Sequence, residues 1–109
     1  MPAEILLNQV VTASGNTASF QSDSFGTITA NIMLAAVGGT APSFMFQLQG
    51  SPDGTTWFNV GAPSSGITSN GGTTLASAPG AFDAAFARVL FTVTGTLPTA
   101  NVEIWMDGR

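Results

Sequence analysis

Thr27-Ile28-Thr29-Ala30-Asn31-Ile32-Met33-Leu34-Ala35-Ala36 is the stretch from which the fold can be read. Ile28, Ala30, Ile32, Leu34 and Ala36 share one face of an extended chain, opposite Thr27, Thr29 and Asn31. A strand points successive side chains to opposite faces, so a period of two buries one face and wets the other. The next segment repeats the pattern, with Phe44, Phe46 and Leu48 alternating with Ser43, Gln47 and Gln49 and only Met45 out of place. Near the end, Val102, Ile104 and Met106 alternate with Asn101, Glu103 and Asp107, with Trp105 as the exception. One buried and one polar face is the signature of an antiparallel sheet.

Outward from these segments, turn signals recur at short intervals: Gly15-Asn16, Gly38-Gly39, Ser51-Pro52-Asp53-Gly54, Gly61 to Gly72, Pro79-Gly80, Gly95 and Pro98. Between them lie Val, Ile, Thr, Phe and Trp, which favour strands. About eight strands are expected, near 4–12, 16–21, 26–36, 43–50, 55–60, 71–77, 85–94 and 100–107. The fold class that follows is all-β, an antiparallel two-sheet β-sandwich with jelly-roll topology, formed by one domain over residues 1–109. Phe82, Ala85, Phe86, Val89 and Leu90 also stand at helical spacing. A strand is the reading adopted there, with Ala85, Ala87, Val89, Phe91 and Val93 on one face and a turn over 79–84. Gly61 to Gly72 reads as a mobile surface loop. Gly39-Thr40-Ala41-Pro42 and Gly95-Thr96-Leu97-Pro98 are alike and read as two turns of the same kind, each leading into a strand.

Composition narrows the function. Charged residues make up only 7% of the chain and apolar residues 44%, against a usual charged share of about 25%. Cys, His, Lys and Tyr are absent. Without Cys there is no disulfide and no thiolate. Ser and Thr are plentiful, but a hydroxyl nucleophile needs a base such as His or Lys. No cofactor is expected, and no phosphate-binding glycine loop occurs. Net charge is −4, with Arg88 and Arg109 the only cations, too few to neutralise a nucleic-acid backbone or to hold an anionic membrane. The N-terminal MPAEILLNQVV carries no basic segment and reads as no signal peptide. No apolar run approaches the roughly 20 residues of a membrane helix.

Three features invite a functional reading. Ser51-Pro52-Asp53-Gly54-Thr55-Thr56-Trp57 has the chemistry of a tight hairpin turn: Pro fixes φ, Asp bonds its own backbone and Gly accepts φ > 0. Its spacing is similar to the Asp-box turn of sialidases, one residue short. Trp57 packs beside that turn or, with Phe58, offers an aromatic platform to a sugar. The acids Glu4, Asp23, Asp53, Asp83, Glu103 and Asp107 are scattered, whereas a calcium site draws several oxygens from one short segment and a glycosidase brings two carboxylates together. They read as surface acids, with no metal site and no catalytic residue. Arg88, within an apolar strand, either extends to solvent or pairs with an acid across a subunit contact.

Taken together, LLNQVVTASGNTASF, FGTITANIMLAA, FQLQGSPDGTTWFNVG, FARVLFTVTG and TANVEIWMDGR resemble the small β-sandwich virion proteins of tailed bacteriophages, among them capsid decoration, or cement, proteins. The resemblance spans nearly the whole chain and is most specific at LQGSPDGTTW and RVLFTVTG. It departs from many decoration proteins in having no long proline-rich arm, only Met1 to Ile5. It implies a non-enzymatic protein made in the host cytoplasm and carried on the capsid surface of the virion. It would bind the major capsid protein and itself, as a homo-oligomer expected to be a trimer. The residues expected at these interfaces are Ile5, Leu6, Trp57, Phe58 and Arg88. A tail or baseplate component is the alternative within the same class, and a carbohydrate-binding module for host adsorption the alternative outside it.

Overall fold

The computed structural model describes residues 3–21, 27–77 and 84–108. Among them there is no helix, and seven strands form one antiparallel hydrogen-bonded sheet: β1 (Ala3–Val11), β2 (Gly15–Asn16), β3 (Phe20–Gln21), β4 (Ile28–Ser51), β5 (Phe58–Asn59), β6 (Gly71–Ala76) and β7 (Phe86–Gly108). The expected all-β antiparallel class is therefore what forms. The strand count differs, because 26–36 and 43–50 join as β4, and 85–94 and 100–107 join as β7. The expected strand at 16–21 splits into β2 and β3, and that at 55–60 shortens to two residues. Phe86 to Leu90 are strand, not helix; the turn expected over 79–84 falls almost entirely outside the described residues.

β4 and β7 pair along nearly their whole length and form the spine. The first half of β4 pairs with the second half of β7, Ile28 facing Gly108 and Ala35 facing Asn101. The second half of β4 pairs with the first half of β7, from Ser43 facing Thr94 to Ser51 facing Phe86. β1 lines the 100–107 side of β7, and β6 the 29–34 side of β4. β2 and β3 line the start of β7, and β5 the end of β4.

In the middle the ladder slips three times, between Ala35 and Gly38, Gly38 and Thr40, and Thr40 and Ser43. The facing residues are Asn101, Thr99, Thr96 and Thr94. The extra residue thus falls on β4, then on β7, then on β4 again. Each interval holds one non-glycine residue with left-handed backbone: Ala36 (φ 54), Leu97 (φ 51) and Ala41 (φ 50). Bulges of this kind bend a strand and raise its twist. The bend is large: a straight strand of 24 residues would reach about 80 Å, whereas the longest dimension of the molecule is 41 Å.

The two similar tetrapeptides are therefore not turns. They lie inside the spine and face each other, Thr40 opposite Thr96. A Cβ on Gly39 (φ 105) would stand 2.6 Å from the Leu97 carbonyl oxygen, and one on Gly95 (φ 114) 2.7 Å from that of Ala41. Each glycine lets its strand press against the bulge of the other.

Burial follows the period of two. Ile28, Ala30, Ile32 and Leu34, Phe44, Phe46 and Leu48, Ala87, Val89 and Phe91, and Val102, Ile104 and Met106 form one buried cluster. Ala36 leaves the pattern and is exposed, since the bulge turns it out. Each large aliphatic or aromatic side chain fully removed from water contributes about 1.5–3 kcal/mol, so this cluster, with no disulfide, is the main source of stability.

Candidate functional site

On the second half of β4 the polar face is buried as well: Gln47, Gln49 and Ser51 are all buried. The cover is the chain between β4 and β6. Gln47 Nε2 donates to the carbonyls of Leu48, Val60 and Gly61. Ser64 N–H donates to Phe46 O, and Phe44 and Ile67 exchange backbone hydrogen bonds. The segment expected to be a free loop over Gly61 to Gly72 is therefore fastened to β4 at Ser64 and Ile67.

The β4–β5 turn, at the start of this connection, is built as its residue types require. Gly54 takes φ 81. Asp53 Oδ1 accepts from the Thr55 and Thr56 N–H groups at 2.9 Å each. Ser51 Oγ accepts from the Gly54 N–H at 2.8 Å and donates to Asp53 Oδ1. These donors, Thr56 and Thr55 first, hold the Asp53 carboxyl far below the usual carboxylate range. Asp53 is occupied with the turn. The connection runs from Gly50 to Phe58, longer than a tight hairpin.

The turn delivers Trp57 under Arg88, whose guanidinium carbon lies 4.2 Å from the centre of the Trp57 ring. Arg88 Nε–H donates to Gln49 Oε1 at 2.9 Å, and Gln49 Nε2 donates to Asn59 Oδ1 at 2.9 Å. The guanidinium is thus fixed at one edge by a chain of amides and on one flat side by an indole. Among the described residues Arg88 has no further hydrogen-bond partner and meets no acid. Phe58, next to Trp57, keeps 47% of its surface exposed.

Ile5 and Leu6 lie elsewhere. Ile5 is 45% exposed and faces Trp105 across the β1–β7 ladder. Leu6 sits where that ladder slips and packs partly against the core. The same outer face carries exposed Val10 and Met33, and Trp105 Nε1 donates to Glu103 Oε1 at 2.6 Å. A groove of about 340 Å³ crosses it, lined by Asn8, Met33, Ala35, Gly72, Asn101 and Glu103 among others. The five expected interface residues are thus not brought together. Trp57 and Arg88 stack on the face that carries Gln49 and Asn59, while Phe58, paired with Gly50, points to the opposite face of that strand pair. Ile5 lies on the outer face of the β1–β7 ladder, and Leu6 packs partly inward. Gln49, Asn59 and Trp105 complete these surfaces and carry no sequence signal of their own beyond their place in a strand.

Among the described residues no three metal-ligating side chains come together. Comparison with known proteins gives no match at any level: no family model, no curated protein and no solved structure is similar to the chain.

Proposed function

We propose that the chain is a jelly-roll structural protein of a bacteriophage virion that decorates the assembled capsid and stabilises it by contact with its neighbours. The strand order supports the jelly roll. Let the bulges divide β4 and β7 into two segments each, and let β2 and β3 count as one interrupted strand. The segments, numbered along the chain, then pair in the orders 1-8-3-6 and 2-7-4-5, the two sheets of a jelly roll. The smallest dimension of the molecule, 21 Å, suits two such sheets about 10 Å apart with side chains outside them. This architecture serves in viral capsids and in lectins, and a fold alone does not choose between them.

The observation that carries the binding reading is the Arg88–Trp57 stack. Arginine and aromatic residues dominate the energetics of protein interfaces, and a guanidinium already held in place loses little freedom on binding. The second surface, around Ile5, Val10, Met33 and Trp105, supplies a separate contact. A protein that ties neighbours together needs at least two. The expected partners are the major capsid protein and other copies of the chain, in a closed ring such as a trimer. The test is sedimentation with phage shells assembled without the protein. Wild-type chain should travel with shells and not with free capsid subunits, and Arg88→Met should lose occupancy. Failure of the wild type to sediment with shells would refute the proposal, and a positive titration with sugars would favour the lectin reading.

A further inference from the structure

β1 is the longest of the strands that flank the spine, nine residues against two to six for the others. It pairs with β7 on one side, and among the described residues no strand pairs with its other edge. Such an edge is a template for another strand, and proteins blunt it with lysine, proline or a bulge. β1 holds no lysine and no proline, and Glu4 is its only charged residue. It does hold a bulge, with Leu6 the extra residue between Ile5 and Leu7. Ile5, Asn8 and Val10 face Trp105, Glu103 and Asn101 on the outer side of the sheet. Leu7 and Gln9 face Ile104 and Val102, which are buried. Leu6 and Leu7 both pack against the core, so two consecutive residues point inward in a strand that otherwise alternates.

We propose that β1 pairs with β1 of a second copy, antiparallel about a two-fold axis, in the register that sets Ile5 opposite Asn8 and Leu6 opposite Leu7. Residues directly opposite one another in an antiparallel pair share a face. A regular strand alternates throughout and has no two consecutive inward residues to meet Leu6 and Leu7, so the bulge turns foreign strands away. A second β1 carries the same irregularity and matches it. In this register outward Ile5 meets outward Asn8, inward Leu6 meets inward Leu7, and the two-fold axis repeats both pairs. Sliding the copies by one or two residues in either direction sets an outward residue opposite an inward one. Glu4 falls opposite Gln9 and not opposite a second Glu4, so like charges are kept apart. Ile5 and Val10, both exposed in the single chain, become diagonal neighbours on one face of the new ladder, within reach of each other. A two-fold contact closes on itself, so it is additional to any ring of copies and does not depend on binding to a shell.

The test uses the chain without shells, so its failure would leave the shell experiment standing. The chain has no cysteine, and engineered thiols therefore report the register alone. Chains carrying Ile5→Cys and chains carrying Asn8→Cys, both at exposed positions, are mixed in equal amounts and mildly oxidised. The mixed disulfide should form, because directly opposite Cβ atoms lie about 4.5–5.5 Å apart. Neither chain should link to itself, since the two copies of either position are offset by three residues, about 10 Å along the strand. Sedimentation equilibrium of the thiol-free chain should show pairing, and Ile5→Lys combined with Val10→Lys should abolish it with circular dichroism unchanged. Self-linked chains that form as readily as the mixed species would overturn the proposal. So would a wild-type chain that stays monomeric at every concentration, or a pair that survives both lysines.

Discussion

Arg88 and Gln49 face each other across β7 and β4, and the Arg88 Nε–H donates to Gln49 Oε1 at 2.9 Å. Gln49 is buried and bonds Asn59 at its other end, so the arginine is oriented by an element that has no freedom to follow it. Burial also lowers the Arg88 pKa, though a guanidinium remains charged at any ordinary pH. Arg88→Met should cost about 0.5–1 kcal/mol for the lost contact with Trp57 and about 1–3 kcal/mol for the buried Gln49 Oε1 left without its donor. It should cost about 2 kcal/mol or more in binding to shells, the mark of an interface anchor. Thermal melting and shell sedimentation on the same variant separate the two effects.

The facing bulges allow a sharp contrast. Gly95→Val places a branched side chain where the Cβ alone meets Ala41 O at 2.7 Å, on a backbone at φ 114. The variant should fail to express in folded form. Leu97 is 85% exposed at φ 51, so Leu97→Gly removes strain and loses almost no buried surface. It should raise stability by a few tenths to about 1 kcal/mol. Urea unfolding measures it, and a destabilised Leu97→Gly would mean that Leu97 packs on something.

Gly54→Val tests the β4–β5 turn. The nearest atoms to a Cβ there belong to Phe86, at an ordinary 3.7 Å, so the cost is backbone strain at φ 81 rather than collision. About 1–2 kcal/mol of destabilisation is expected, read as a lower denaturation midpoint.

Asp53 predicts a pH dependence. Its folded-state pKa lies below that of the unfolded chain, about 3.9 for Asp. The folded form then binds fewer protons, and the contribution is complete above the unfolded value and lost as pH falls toward the folded one. Asp53→Asn should lower stability at neutral pH and flatten the acid limb of a melting-temperature profile. An acid limb identical to the wild type would show that other carboxylates govern it.

The sequence made the buried faces legible because a period of two survives wherever a strand has one dry side, as at Ile28 to Leu34 and Val102 to Met106. It failed at the spine for a physical reason. Glycine and proline in Gly39 to Pro42 and Gly95 to Pro98 normally mark turns, but here they permit bulges within strands that never stop pairing. Ser51 to Trp57 was readable as a turn, since each residue type has a local task there. Gln47 and Gln49 were not readable as buried, because a polar residue on a wet face and one beneath a covering segment have the same spacing. Of the expected interface residues, Trp57 and Arg88 were individually visible. Their stacking depends on the register of β4 with β7, which is not encoded locally.

The decisive measurement is the melting temperature of phage shells assembled without the protein, with and without purified chain, at low and high salt. A ligand that binds only the assembled lattice stabilises it by RT ln(1 + [L]/Kd) per site, about 2.7 kcal/mol at a hundredfold excess over Kd. The account predicts an upward shift that saturates with occupancy. The shift should weaken only slightly with salt, because only 7% of the chain is charged and most of its contact surface carries nothing for ions to screen. Shells whose melting is unchanged at saturating protein would contradict it.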